Sequence, residues 1–156
     1  MLNNDVIRRI RYALNLNDHA MIAIFALSDY EISRDTLLTL LKKDNEEHFV
    51  AMSNAQLTAF LDGLITFRRG KSDKPVAPAK TELDNNAILR KLRIALEFKE
   101  EEMLSILTLA DFDLSKHELS AFFRHEGHKH YRKCGDQILR NFLQGLTIHF
   151  RQADAS

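Results

Sequence analysis

The sequence predicts an all-α fold in which a four-helix unit occurs twice in tandem. Residues 3–69 align with residues 85–151 without a gap, and roughly 19 of about 67 aligned pairs are identical. Most of the identical residues are apolar and recur every three or four positions, which is the spacing of one helix face. Only five glycines, two prolines and no tryptophan are present, a composition that favours helices. We therefore expect a first helical repeat at residues 1–70 and a second at residues 85–156.

The segment between the repeats, residues 71–84, is predicted to be a linker. It contains both prolines of the chain and shows no apolar periodicity, as is typical of flexible connections. A unit of about 70 residues is only marginally stable alone. We therefore expect the repeats to pack together about a pseudo-twofold axis, although this linker also permits separate units.

The first helix of each repeat begins with an Asn-Asn pair. In the first repeat we expect it to run from about Asn4 to Leu14, with asparagine as the N-cap that accepts a hydrogen bond from a free backbone amide. In the second repeat the same helix is expected to start at Asn85 and Asn86. Its apolar residues form one stripe in both copies, and the arginines lie away from the centre of that stripe.

The second helix is predicted to follow Asp18 in the first repeat and to open with three glutamates, residues 100–102, in the second. Acidic residues are favourable there because the N-terminus of a helix is the positive end of its dipole. A short turn then leads to a third helix with Ser33 or Ser115 as its N-cap, and Ser115 with Glu118 matches a capping box. The residues expected on the buried face of the second helix are Met21, Ile24, Phe25, Leu27, Met103, Ile106, Leu107 and Leu109.

A polar loop separates the third helix from the fourth, which is predicted to begin near Ser53 or near Asp136. Ser53 with Gln56 matches a second capping box. Gly63 and Gly145 lie inside the apolar stripe of the fourth helix, where glycine costs about 1 kcal/mol relative to alanine. Because glycine occurs there in both copies, we expect another backbone to approach closely at that position.

Charge and composition exclude several classes of protein. Lysine plus arginine and aspartate plus glutamate number 22 each, so the formal net charge is zero and binding to nucleic acid would require a local basic patch. The longest apolar run, residues 20–27, is too short to span a bilayer, and the N-terminus lacks a signal-peptide pattern. The single cysteine, Cys134, cannot form an internal disulfide, which fits a reducing compartment. We therefore expect a cytoplasmic protein without membrane association.

Three motifs carry a resemblance to a known family. They are the Asn-Asn-x-x-x-Arg-x-x-Arg-x-Ala-Leu helix in both copies, the Phe-Leu-x-Gly-Leu stripe at residues 60–64 and 142–146, and His-Tyr-Arg-Lys-Cys-Gly-Asp-Gln at residues 130–137. Over nearly its whole length the chain resembles the bacterial YehS family. The resemblance implies a small bacterial cytoplasmic protein with a duplicated helical domain, and it supplies no assigned activity, cofactor or catalytic residue.

The second and third helices have the proportions of a helix-turn-helix pair, most clearly at residues 103–123. The residues expected to be exposed on the third helices are a mixed set of charged and hydroxyl side chains, which suits base-edge recognition poorly. Two packed helices of a bundle joined by a short turn are the simpler interpretation. Nucleic-acid binding by a regulatory protein is therefore the alternative prediction rather than the first one.

The twinned arginines of the first helices are the first candidate binding residues. Packing does not require a guanidinium at the same outward positions of both copies, and its planar fork suits phosphate or carboxylate. The alternative is that these arginines pair internally with twinned acids such as Asp29 and Asp111. The candidates are Arg8, Arg11, Arg90 and Arg93, which Arg9, Lys91, Arg69 and Arg151 would extend into a basic patch.

A His-x-x-His-x-His-x-x-x-Cys cluster is a weak metal candidate. His125, His128, His130 and Cys134 offer imidazole and thiolate, which zinc accepts. The equivalent positions of the first repeat are lysine, glutamate, histidine and methionine, so three of the four ligands are missing there. We therefore predict no physiological metal and no cofactor, and adventitious metal binding explains such a cluster equally well.

His48 and His130 recur at equivalent positions, each followed by an aromatic residue. A histidine and Cys134 could form a nucleophile pair in the second repeat alone, but a structural histidine bonded to a loop carbonyl is the simpler interpretation. No phosphate-binding loop, hydrolase motif or metalloprotease motif is present. We therefore predict a non-enzymatic helical binding module that recognises another macromolecule, protein or nucleic acid, through the four arginines and the loops carrying His48 and His130.

Overall fold

The computed structural model describes residues 1–70 and 82–155, and its regular secondary structure over these residues is entirely helical. The chain divides into two compact units, Met1–Leu83 and Asp84–Ser156, and the described residues form four helices in each. The first unit contains α1 Asn3–Leu14, α2 Asp18–Ala26, α3 Arg34–Leu40 and α4 Asn54–Arg69. The second contains α5 Asn85–Leu96, α6 Glu100–Leu109, α7 Lys116–Ala121 and α8 Asp136–Ala155. The predicted all-α fold with a duplicated four-helix unit is confirmed.

Part of the predicted linker, residues 71–81, lies outside the described residues. The predicted packing of the two repeats about a pseudo-twofold axis stays a prediction. Within the described ranges, no helix is long and apolar enough to cross a membrane.

Each unit has its own core, in which the fourth helix packs against the second. The predicted apolar stripes form this core, and their twinned residues are almost fully buried. Leu27 is an exception, because α2 ends at Ala26 and Leu27 is 40% exposed in the turn that follows. Its prediction as a buried residue was wrong, and its twin Leu109 is only half-buried. Buried apolar residues that are identical in the two copies include Met21, Ile24, Leu37, Leu57, Phe60, Met103, Ile106, Leu119, Leu139 and Phe142.

Gly63 and Gly145 mark the closest approach of two backbones in each unit. A Cβ atom added to Gly63 would lie 1.9 Å from the carbonyl oxygen of Ile24, and one added to Gly145 would lie 2.0 Å from that of Ile106. Both distances are far below van der Waals contact. The predicted close approach is therefore confirmed: glycine lets the fourth helix lie directly against the second helix.

The predicted N-caps of the third and fourth helices are confirmed where serine begins them. Ser33 accepts a hydrogen bond from the Thr36 amide, and Ser53 and Ser115 form capping boxes with Gln56 and Glu118. The first helices differ from their prediction. Leu2 is the N-cap of α1 and makes no side-chain cap bond, whereas Asp84 caps α5 by accepting from the Ala87 amide. Asparagine does not cap either helix, because its side chains are used elsewhere.

A candidate binding surface on the second unit

A buried asparagine holds the loop between the third and fourth helices of each unit. In the second unit, Asn86 is 4% exposed and its Nδ2 donates to the carbonyl oxygens of Phe122 at 3.1 Å and Arg132 at 2.8 Å. Its Oδ1 accepts from the Cys134 amide at 2.9 Å. One side chain thus satisfies three backbone groups at both ends of the loop, which would otherwise be costly to bury.

The first unit has the same arrangement around Asn4, which is 1% exposed. Its Nδ2 donates to Leu40 and Val50 carbonyl oxygens at 2.9 Å each, and its Oδ1 accepts from the Met52 amide at 2.9 Å. We call this three-bond arrangement the asparagine clamp. Because the three bonds are the same in both units, the two loops are anchored at equivalent positions.

The neighbouring asparagine completes the attachment at the start of the fourth helix. Asn3 Nδ2 donates to the Met52 carbonyl oxygen at 3.1 Å and to Asn54 Oδ1 at 2.8 Å. Asn85 Nδ2 makes the equivalent bonds, to the Cys134 carbonyl oxygen at 3.1 Å and to Asp136 Oδ1 at 2.8 Å. The repeated Asn-Asn pair, predicted as a helix cap, therefore ties the first helix to the loop.

The two loops have net charges of opposite sign although the same clamp bonds anchor them. Residues 42–51 of the first unit contain two lysines and three acids, for a net charge of −1. Residues 124–133 of the second unit contain four cationic residues and one acid, for a net charge of +3, and we call them the basic loop. Its charged residues are Arg124, Glu126, Lys129, Arg132 and Lys133. The asparagine clamp therefore does not require the charge of the basic loop.

Most of the cations of the basic loop face solvent. Lys129 and Lys133 are exposed. The Arg132 side chain is 64% exposed, and its Nη1 lies 3.9 Å from Glu118 Oε2, at the outer limit of an ion pair. Arg124 is half-buried and donates from Nη1 to the His130 carbonyl oxygen at 3.1 Å. Arg124 thus supports the loop backbone, whereas the other three cations are accessible to a ligand.

Four exposed histidines surround these cations. The ring centroids of His125 and His128, and of His128 and His130, lie 5.6 Å apart, and the His117 ring of α7 lies 6.4 Å from His130. His128 Nδ1 accepts a hydrogen bond from the His130 amide at 3.0 Å, which requires that nitrogen to be unprotonated. The pKa of His128 is lowered, first by desolvation and then by the charges of Arg124, His125 and His130. Part of the lowering of this pKa thus reflects the positive charges next to the His128 ring.

The four weak metal candidates do not form one ligand set, because Cys134 is separated from the three neighbouring histidines. Cys134 is buried, with Sγ 3.6 Å from the Gly135 carbonyl oxygen, while His125, His128 and His130 lie on the exposed side of the loop. Across residues 1–70 and 82–155, no group of three or more His, Cys, Asp or Glu residues is placed to hold a metal ion. Burial, with smaller effects of Asp136 and Asp84, raises the pKa of Cys134 to about 12. The thiol is therefore protonated at neutral pH and is a poor nucleophile.

The predicted arginines of the first unit are held by internal ion pairs. Arg8 contacts the Asp5 carboxylate and donates to the Lys42 carbonyl oxygen at 3.3 Å. Arg11 Nη2 lies 2.9 Å from Asp18 Oδ1. The alternative prediction of internal pairing thus describes both residues, but the named acids were wrong.

Asp29 and Asp111 have a different role from the one predicted. They follow α2 and α6 with φ angles of 57° and 58°, a left-handed conformation that aspartate tolerates better than most residues. Their identity in both copies is explained by this turn rather than by arginine pairing.

The arginines of the second unit are only partly available. Arg93 donates from Nε to the Phe98 carbonyl oxygen at 3.3 Å, and its guanidinium carbon lies 4.7 Å from the centroid of the Phe123 ring. Arg90 is half-buried, and its charge lies close enough to Tyr131 to act on the pKa of that phenol. Three of the four predicted arginines thus make internal contacts, which reduces their capacity to bind an external ligand.

The two predicted loop histidines are both exposed but lie in different surroundings. His48 adopts a φ of 66°, its side chain is 77% exposed, and its Nε2 lies 3.7 Å from Glu47 Oε1. His130 instead belongs to the histidine cluster of the basic loop. The histidines were identified from the sequence, whereas the cations among them were not. A comparison of the charges of the two equivalent loops would have identified these cations.

The helix-turn-helix pairs have short third helices. α7 comprises six residues and α3 seven, which corresponds to lengths of about 9 and 10 Å. Helices of this length offer less than two turns with which to follow a major groove. The exposed chemistry of the second unit therefore lies in the loop after α7 rather than on α7 itself.

Comparisons with known proteins identify relatives of this chain. The family described as "Protein of unknown function (DUF1456)" matches residues 3–70 and again residues 85–152. The "Uncharacterized protein YehS" of Escherichia coli (strain K12) is 40% identical over 148 residues, which cover 94% of this chain and 95% of that protein. No solved structure matches.

Proposed function

Because the chain belongs to the DUF1456 family, whose description assigns no function, we propose a function from its own residues: it is a non-enzymatic binding module that recognises an anionic macromolecule through the basic loop. The observation that carries this proposal is a pair of loops with the same anchoring bonds and net charges of opposite sign. The asparagine clamps hold the loops in the same way. The +3 charge at residues 124–133 supports interaction with an external partner, because the clamp does not depend on it.

The basic loop supports this proposal better than the helix faces predicted from the sequence. Arg8 and Arg11 each have a carboxylate partner within their own unit, so a ligand would have to displace that partner. Lys129 and Lys133 are exposed, and a ligand could contact their ammonium groups without breaking the clamp. The protonated thiol of Cys134 supports the non-enzymatic part of the proposal, because the thiolate required for nucleophilic chemistry is scarce at neutral pH.

The proposal is tested by identifying what co-purifies with the untagged protein from its native cell, using a variant in which the basic loop takes the charges of its twin. This loop charge variant carries Lys129→Glu, Arg132→Val and Lys133→Ala, because the equivalent residues of the first unit are Glu47, Val50 and Ala51. We expect the wild type to retain a macromolecule at low salt and to release it as salt rises, and the loop charge variant to retain little of it.

A matched control separates the loop from the total charge of the protein. Arg9→Glu with Lys43→Glu changes the net charge by −4, as the loop charge variant does, but at exposed positions of the first unit. This control should retain the macromolecule. Equal retention by the loop charge variant and the wild type, or the absence of any salt-released macromolecule from the wild type, would overturn the proposal.

A further inference from the structure

The arrangement of rings among the cations indicates which anion the basic loop fits. Within residues 124–133, exposed histidine rings alternate with exposed cations, and Tyr131 is half-buried between His130 and Arg132. Three of the histidine rings are neighbours at 5.6 Å. A surface that recognises an acidic protein requires cations but has no particular need for rings. Nucleic acid offers a partner to both, because it presents phosphates to cations and flat bases to rings.

The short α7 helix and the exposed rings of the basic loop favour a single strand over a duplex. Readout of duplex DNA requires an element that enters a groove, and α7 has only six residues. Bases of a single strand are not stacked in a helix and can lie on exposed rings, while Lys and Arg side chains contact the adjacent phosphates. Rings and cations of the basic loop are both accessible without any rearrangement of α7 or α8.

We propose that the basic loop binds single-stranded nucleic acid, with Lys129, Arg132 and Lys133 on the phosphates and the rings of His125, His128 and His130 against the bases. This inference rests on the proposed function and names the class of its macromolecule. Asn86 acts as a positioning residue, because its clamp fixes the backbone at Arg132 and Cys134. The equivalent loop of the first unit lacks these three cations and two of the three histidines, so we place binding in the second unit.

The test measures fluorescence anisotropy of a labelled mixed-sequence 12-nucleotide RNA with the full chain, in parallel with the duplex of the same sequence. We expect the single strand to bind at least about tenfold more tightly than the duplex at equal salt. With three phosphate contacts, the logarithm of the binding constant should fall with the logarithm of salt concentration with a slope of about −2. An excess of polyglutamate with matched charge should compete weakly, because it offers no bases.

Two variants separate the contribution of the cations to RNA affinity from that of the histidine rings. The loop charge variant should lose at least about tenfold in affinity and nearly all of its salt slope, whereas Arg9→Glu with Lys43→Glu should bind as the wild type does. A ring variant, His125→Ala with His128→Ala and His130→Ala, should keep the salt slope but lose at least about fivefold in affinity for the RNA. Far-UV circular dichroism and thermal melting of each variant establish that it is folded.

The outcomes separate this inference from the proposed function. Tighter binding of the duplex, or wild-type affinity in both the loop charge and ring variants, would overturn single-stranded nucleic acid as the ligand. If the RNA fails to bind while the loop charge variant still loses the co-purifying macromolecule, the inference is wrong and the proposed function stands. If the loop charge variant keeps both its RNA affinity and the co-purifying macromolecule, both are wrong.

Discussion

Removing the asparagine clamp of the first unit by Asn4→Ala should destabilise that unit severely. The substitution leaves two carbonyl oxygens and one amide without their partner, and all three bonds are 2.9 Å long. A buried polar group without a partner costs about 1–3 kcal/mol, so the loss should be about 3 kcal/mol or more. A domain of about 70 residues has a total stability of roughly 4–10 kcal/mol. One side-chain amide therefore supplies a large share of the stability of its unit.

The loss is measured by chemical denaturation followed by circular dichroism, and it is located by hydrogen exchange. The Met52 amide donates to Asn4 Oδ1 in the wild type, so its exchange should become faster in Asn4→Ala. Asn3→Ala is the matched control, because its bonds to Met52 and Asn54 are nearer the surface and water can replace them. We expect it to cost about 1 kcal/mol.

The equivalent substitution in the second unit provides an independent test in the same protein. Asn86→Ala should destabilise the second unit by a similar amount and should accelerate exchange of the Cys134 amide. The clamp is not the main support of the loop if Asn4→Ala and Asn86→Ala each cost less than about 1 kcal/mol. The same conclusion follows if the Met52 and Cys134 amides keep their wild-type protection.

Three further predictions follow from the packing and the titrating groups. Gly63→Ala should cost about 2–3 kcal/mol in thermal or chemical unfolding because its Cβ would overlap the Ile24 carbonyl oxygen; Gly135→Ala, with no neighbouring atom within 4 Å, should be nearly neutral, and equal effects of the two would refute the close approach. Cys134 should react with a thiol reagent only after unfolding, because burial raises its pKa to about 12, so rapid modification of the native protein would contradict this environment. Because the pKa of His128 is lowered in the folded protein, the unfolded chain takes up the extra proton at a higher pH than the folded protein does. The contribution of neutral His128 to stability is therefore present above about pH 6.5 and is lost as the pH falls below that value. An NMR titration midpoint at or above that of an unfolded reference peptide would refute this.

Local sequence patterns were sufficient to predict the helices. Apolar residues at three- and four-residue spacing identified the buried stripes, and Ser53 and Ser115 identified helix starts. Gly63 and Gly145 predicted a backbone contact because an unfavourable residue in a helix interior, found in both copies, needs a tertiary reason. Each of these patterns can be recognised within a few consecutive residues or by comparing the two repeats.

Interactions between distant residues explain what the sequence did not predict. The clamp joins Asn4 to groups 36 to 48 residues away, and asparagine at a helix start has a simpler local interpretation as a cap. The partner of Arg11, Asp18, lies across the turn between α1 and α2, whereas that of Arg8, Asp5, lies one helical turn away and was open to prediction. The basic loop was missed because its histidines were considered as metal ligands, apart from their cationic neighbours.

The asparagine clamp contacts its loop only through backbone carbonyl oxygens and one amide. Exposed side chains between the clamped positions that make no bond to the loop backbone, such as Lys129 and Lys133, can therefore be exchanged at little cost to folding. The two units of this chain carry loops of different charge on the same set of clamp bonds. For protein engineering, the same property makes residues 124–133 a segment in which randomised sequences can be displayed on a small helical support.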